Sequence, residues 1–210
     1  GGLAFFLTLE SWRPLHRDAR GRWCHVRLNL VFLGLSVLLH LGLAWLVVVA
    51  SAWSRSHGFG LLPWLNLPAL AEGIVGLLLL ELTAAWFPHW LMHRVEWLWR
   101  WHLVHHSDPK VDTTTGVRTH PCDVLLRLLA EVLAVALLGA PLWMVIGYES
   151  LVTLATLFAH ANVALPRWLD RGMNWLVVTP NYHRVHHHPD QPLTDRNYGL
   201  VFTVWDRLFR

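Results

Sequence analysis

Residues 123–163 read DVLLRLLAEVLAVALLGAPLWMVIGYESLVTLATLFAHANV, and this stretch decides the architecture. It is about twice the roughly 20 residues that a helix needs to cross about 30 Å of hydrocarbon, and it is nearly free of charge. Gly139-Ala-Pro141 falls near its middle. Proline removes an internal helical hydrogen bond and disfavours helix in the preceding residue, so the stretch predicts two spans, 123–139 and 141–163, joined by a tight connection. Working outward, residues 28–50 and 68–88 are apolar blocks of single-span length, and the segments between the blocks are rich in charge and histidine. With 54% hydrophobic and 15% charged residues in 210, the chain is too apolar for an ordinary soluble protein. The expectation is one all-α integral membrane domain, 1–210, with about four transmembrane helices.

The placement of Arg and Lys tests this count independently, because positive residues accumulate in short cytoplasmic loops. Arg13, Arg17, Arg20, Arg22 and Arg27 precede the first span; Arg94, Arg100, Lys110 and Arg118 follow the second; Arg167, Arg171, Arg184, Arg196, Arg207 and Arg210 follow the last. The 51–67 loop holds only Arg55, and the 139–147 connection holds none. Both ends and the long middle loop are therefore expected on the cytoplasmic side. The same asymmetry accounts for the net charge of +3, so anionic lipid headgroups are the expected partner and nucleic acid is not. Many of the 14 Trp residues lie near span ends, as interfacial belts require. Cys24 and Cys122 form neither a CxxC pair nor a disulfide framework. A first residue of Gly instead of Met reads as a fragment lacking its native start, which leaves an earlier span open.

Fifteen histidines are a large excess, and their spacing carries the chemistry. His89 and His93 are four apart at the cytoplasmic end of the second span, one turn apart on one helix face. His102, His105 and His106 form HxxHH; His183, His186 and His187 repeat it; His160 ends the fourth span, where it can close the cluster from the side. Imidazole suits Fe, Zn, Cu and Ni, and this many rings exceed what one ion can use, so two metal ions are implied. Interfacial rings bonded to headgroups would not need this spacing to appear twice. His120, in Arg118-Thr-His-Pro, is a ligand or an outer partner of one. His188 reads as a bystander, His40 as a packed mid-span ring, and His16, His25 and His57 as interfacial residues. Glu81 and Glu131 lie inside spans, where a carboxyl either orients a ligand or bonds a neighbouring helix. Asp108, Asp112, Asn162, Asp195, Asn197 and Asp206 are candidates for the outer layer.

The order HxxxH, HxxHH, distant HxxHH, with spans between, resembles the fatty acid hydroxylase and sterol desaturase superfamily of membrane di-iron enzymes, in its bacterial branch. The stretches that carry the likeness are His89-Trp-Leu-Met-His93-Arg, Trp99-Arg-Trp-His102-Leu-Val-His105-His106-Ser-Asp-Pro, Thr113-Thr-Thr, Arg118-Thr-His120-Pro, His160-Ala-Asn162, Thr179-Pro-Asn-Tyr-His183-Arg-Val-His186-His187, Asn197-Tyr-Gly and Trp205-Asp-Arg-Leu-Phe. The likeness covers residues 81–210. The three-residue gap between His89 and His93 is closer to hydroxylases and sterol oxidases than to membrane acyl-CoA desaturases.

This resemblance implies a helical bundle with a cytosolic His-rich cap binding two Fe ions through His89, His93, His102, His105, His106, His160, His183, His186 and His187. It also implies O2 as co-substrate, an external electron donor such as a ferredoxin or a cytochrome with its reductase, and hydroxylation or desaturation of a lipid: fatty acyl, sterol or isoprenoid. A bacterial inner membrane is the implied location. Two other classes compete. A membrane di-zinc hydrolase would lack O2 chemistry, and the absence of HExxH and the scarcity of carboxylate ligands argue against it. A non-catalytic metal-binding protein would need ligands along a transmembrane path, where only His40 stands.

Overall fold

The computed structural model of the chain describes residues 1–17 and 22–209. Arg20 and Arg210, and the side chain of Arg22, all counted in the charge asymmetry, lie outside the described residues. Helices form the described architecture: α1 (Gly2–Trp12), α2 (Arg22–Leu43), α3 (Trp45–Ser56), α4 (Leu61–Leu65), α5 (Ala69–Leu80), a π-helical stretch (Glu81–Trp86), α6 (Phe87–Arg94), α7 (Glu96–His106), a 3₁₀ turn (Thr115–Val117), α8 (Pro121–Leu138), α9 (Leu142–His160), α10 (Arg167–Met173), α11 (Pro180–His186) and α12 (Val204–Leu208).

Among the described residues, three stretches are long and apolar enough to cross a membrane: Trp23–Leu65, Ala69–Arg94 and Leu142–His160. The expected third span coincides with α8, about 27 Å long at 1.5 Å per residue. It carries Asp123, Arg127 and Glu131 and so falls short on composition. Its place in the bundle explains why those charges are tolerable, since α8 packs against α2, α3, α5 and the π-helical stretch instead of standing alone in lipid. Val124, Leu128, Glu131, Val135 and Leu138, at helical spacing, form its buried face. That face meets Val47, Leu80, Ala84, Ala85, Met144 and Tyr148 in the core. Outward-facing residues are apolar as well: Leu38, Leu133, Leu137 and Ile146 are all exposed. Such a surface is at home in hydrocarbon and would be an aggregation hazard in water.

The break inside the long apolar stretch falls where proline and glycine put it. α8 ends at Leu138, Gly139 adopts the left-handed conformation with φ of 68°, and Pro141 opens α9. A Cβ on Gly139 would lie 2.4 Å from the Phe59 carbonyl oxygen, so the loop before α4 presses on a turn that only glycine fits. The Ser51 hydroxyl donates to the Ala140 carbonyl at 2.8 Å and ties α3 to the same turn.

Between α5 and α6 the helix widens to the π form over Glu81–Trp86, just before Pro88. Pro88 has no N–H and its ring crowds the carbonyl one turn earlier, which a wider turn relieves. The extra residue rotates everything downstream by about 100°, so this widening sets which way His89 and His93 face.

Candidate metal centre

The histidines reach one place from four elements. His89 and His93 lie one turn apart on α6; His102, His105 and His106 on α7; His160 ends α9; His183 and His186 are on α11, with His187 just past its end. An extended residue, Val95, turns α7 back so that it packs along α6. Thr179 starts α11, its hydroxyl accepting from Tyr182 N at 3.3 Å, and Pro180 supplies the first helical position.

The rings fall into two adjoining groups. His89, His93, His102, His106 and His186 form one; His105, His160, His183 and His187 form the other; within each, the ligand nitrogens all lie within 4.8 Å of one another. Each HxxHH motif is thereby divided. Its i and i+4 rings serve one group and its i+3 ring the other, and the stacked rings of His106 and His187, 4.6 Å apart, mark the seam between groups. His120 joins neither: its Nδ1 accepts from Cys122 N at 3.1 Å and caps α8.

The outward nitrogens are anchored, which decides what the inward ones can do. Nδ1–H of His89 donates to the Tyr198 carbonyl (2.7 Å), that of His186 to Arg196 O (2.6 Å) and that of His160 to Thr156 O (2.8 Å). The His105 ring donates to Arg118 O (3.3 Å), His102 to Asp123 (2.8 Å) and His93 to Asp195 (3.3 Å). With the proton fixed on Nδ1, each Nε2 presents a lone pair inward.

In the five-ring group the buried Nε2 atoms of His89, His93, His102, His106 and His186 have no hydrogen-bond partner. In the four-ring group His160 Nε2 lies 3.1 Å from His105 Nε2, 3.1 Å from His187 Nε2 and 3.0 Å from His183 Nε2. Those of His160 and His105 are both lone pairs, and one N–H could not satisfy three contacts. A cation does satisfy them: ligands about 2.1 Å from one ion sit roughly 3.0–3.4 Å apart. The residues present fit one metal ion per group.

Electrostatics agree with this. Burial, reinforced by neighbouring rings, holds His105, His106, His183 and His187 well below the ordinary imidazole range. Burial pushes His186 down to about 3, and it lowers His102 despite the opposing pull of Asp123. Neutral imidazole is the form that binds metal.

A cavity of about 960 Å³ opens beside His89, His102, His105 and His160 and runs inward between α2, α8 and α9. Leu33, Val37, Leu41, Leu128, Val152 and Leu157 give it an apolar wall, while Arg127, Glu131, Tyr148 and Glu149 also line it.

Among the polar residues singled out from sequence, Asp195 reaches a ring and the rest hold the surrounding frame. Glu81 accepts from the backbone N–H groups of Leu200, Val201 and Phe202 at 3.2–3.3 Å, which pins the carboxyl-terminal segment to the span. Asp206 accepts from Trp86, Tyr182, Tyr198 and Gly199. Asp108 and Asp112 flank His25 at 3.4 Å, so His25 belongs to a polar network and not to the interface alone. Asn162 bonds His16, and Asn197 bonds the Tyr182 carbonyl. The His40 ring donates its Nδ1–H to the Ser36 carbonyl (2.8 Å) and borders the cavity. Asp123 is the residue sequence reasoning missed. The signal was there: Asp123 and Arg127 are four apart at the start of an apolar helix, and Arg127 Nε bonds Asp123 at 2.7 Å.

The profile of the fatty acid hydroxylase family matches residues 74–210. Over 141 residues the chain is 28% identical to the ornithine lipid hydroxylase OlsE of Rhizobium tropici, covering 67% of this chain and 41% of that protein. It is 25% identical over 134 residues to the alkylglycerol monooxygenase of Xenopus tropicalis (59% and 26% covered) and 26% identical over 167 residues to that of Danio rerio (75% and 33%). The chain thus spans 26% to 41% of the length of these relatives. No solved structure matches it.

Proposed function

The chain belongs to the fatty acid hydroxylase family, and from that premise we propose that it is an O2-dependent di-iron oxidoreductase that hydroxylates or desaturates a membrane lipid. The observation that carries the proposal is the convergence of nine buried Nε2 atoms in two groups at the mouth of an apolar cavity. An all-imidazole donor set suits iron, and neither group contains a carboxylate of the kind that two-metal hydrolases use to bridge their ions.

In this reading His89, His93, His102, His106 and His186 hold one iron, and His105, His160, His183 and His187 hold the other. His120, which caps α8 and lies outside both groups, is left out of the ligand set. Bound iron supplies the power to reduce O2 and take a hydrogen atom from a C–H bond too strong for any side-chain acid or base. The protein's part is positional. The Nδ1 anchors hold six of the nine inward lone pairs on two points, and the leucines and valines of the cavity admit an alkyl chain, exclude water and bring one carbon beside the rings. Electrons come from a separate carrier, a ferredoxin or a cytochrome with its reductase. Four crossings, with the rings on the cytoplasmic face of a bacterial inner membrane, complete the proposal as a single membrane domain over residues 1–210.

The test is metal content and Mössbauer spectroscopy of detergent-purified protein from iron-replete cells, followed by O2 uptake with lipid extracts. About two coupled irons per chain and lipid-dependent O2 uptake are expected. Tightly held zinc with no O2 uptake would turn the reading to a hydrolase. His105→Ala or His186→Ala should abolish turnover while the protein still inserts; a variant keeping more than half of it would sink the di-metal assignment.

A further inference from the structure

Deep in the cavity, away from the rings, three side chains do something the oxidase reading leaves unused. Glu131 on α8 is 8% exposed and Tyr148 on α9 is 2% exposed, and both line the cavity beside Glu149. The Glu131 and Glu149 side chains, on facing helices, share that wall. Two neighbouring carboxyl groups that share a proton keep acceptor lone pairs open to the cavity, whose lining also holds His40 and Arg127. The Tyr148 hydroxyl bonds none of the described side chains or carbonyls, although it lies within electrostatic reach of both carboxyls. A phenol donor and carboxyl acceptors therefore face one space, and such groups cost free energy unless something fills them.

Their depth is set by two helices. Glu131 is eight residues from Asp123, whose carboxylate holds His102, which puts it about 12 Å further along α8. On α9, Glu149 is eleven residues from His160, or about 16 Å. A molecule lying along the cavity with one carbon at the rings would place a medium-length alkyl run between that carbon and the acid pair.

Resting on the lipid-oxidase reading, we propose that Glu131, Glu149 and Tyr148 form a subsite for an alcohol hydroxyl of the lipid substrate. Hydroxyl fits because it donates and accepts at once: its O–H gives to the carboxylate while its oxygen takes the phenol proton. An ammonium group would satisfy the charge but leave the Tyr148 donor unfilled, and a plain alkyl end would leave all three groups unfilled. The substrate is thus a hydroxylated lipid, oxidised at a carbon roughly 12–16 Å from its hydroxyl.

The test reads binding without turnover. Radiolabelled hexadecanol, hexadecylamine and hexadecane are each partitioned onto the detergent-purified holoenzyme, without an electron donor, for wild type, Tyr148→Phe and Glu131→Gln. Hexadecanol should bind at least tenfold more tightly than hexadecane, and Tyr148→Phe, which removes a single oxygen, should erase most of that preference while leaving hexadecane unchanged. Equal binding of alcohol and hydrocarbon, or an alcohol preference untouched by Tyr148→Phe, overturns the subsite. Amine bound more tightly than alcohol overturns it too, in favour of a cation site. Failure of the oxidase reading looks different: alcohol preference would persist in a protein that never consumes O2 with any lipid.

Discussion

Asp123→Asn separates an anchored ring from one that is merely nearby. Asp123 is fully buried and takes two donors at once, His102 Nδ1–H at 2.8 Å and Arg127 Nε–H at 2.7 Å. Asparagine keeps the shape but has one acceptor oxygen and a donor where the second acceptor was. If the amide oxygen stays with Arg127, the NH2 group faces His102 Nδ1, and the ring relieves the clash by moving its proton to Nε2. That is the nitrogen now lacking any partner at the centre of the five-ring group, so the switch converts an inward lone pair into an N–H. The same logic governs the aspartate of serine protease triads. Loss of such a support weakens metal binding about 10- to 100-fold, which is roughly 1.4–2.7 kcal/mol. The assay is a chelator competition on purified protein, read as metal retained per chain. One ion should leave at 10- to 100-fold lower chelator concentration, while the ion of the four-ring group, which has no bond to Asp123, holds. Two ions that release as in wild type would refute the anchoring argument.

Three further outcomes follow from the same framework. Glu81→Ala strips three backbone N–H groups of their acceptor; with bonds to a charged group worth about 1.5–3 kcal/mol, purified protein should melt lower and be cut by protease within residues 190–209, and an unchanged digest would contradict the pinning role. Acid should destabilise the metal-free protein: the unfolded chain takes up protons near pH 6.5, folded His186 only near pH 3, and burial holds His105, His106, His183 and His187 well below the ordinary range too, so stability falls as pH drops below about 6.5, by up to ~1.4 kcal/mol per pH unit per ring. Melting temperatures at pH 8, 7 and 5.5 check this, with a drop expected only at the last. Gly139→Ala places a methyl group against the Phe59 carbonyl at a left-handed φ, so the yield of folded protein should fall well below that of Ala136→Gly, a helix-interior substitution costing about 1 kcal/mol; equal yields would show the turn is not tight.

Local rules made much of this molecule legible. The Gly139-Ala-Pro141 break depends only on the residues at the turn, and the helix ends are where they place them. Histidine spacing likewise identified nine rings that the fold brings together, because i, i+3 and i+4 offsets act within one helix. The division of each HxxHH between two groups was not legible. It depends on how α7 and α11 are set against α6 and α9, and no single helix records that. The π-helical widening ahead of His89 also escaped a reading by regular 3.6-residue periodicity. Glu131 read as either a ligand support or a partner for a neighbouring helix; it lines the cavity beside Glu149 of α9, in neither ring group.

The anchors explain why fold and site behave as one unit. Glu81 lies two turns before His89 on one continuous helix, and its carboxylate holds the backbone of Leu200–Phe202. Two residues earlier in that segment, the Tyr198 carbonyl receives the His89 Nδ1–H, and Arg196 O receives that of His186. The chain closes a circuit in which one carboxylate deep in the span positions a loop, and the loop positions two rings contributed by α6 and α11. A buried carboxylate in a span is costly unless its acceptors are filled, and here backbone N–H groups fill Oε1. The cost of burying Glu81, whose Oε2 has no partner among the described residues, is thus partly offset by ordering the segment that orients the rings. Disturbing Glu81 should therefore loosen metal held by the five-ring group although no atom of Glu81 touches a histidine.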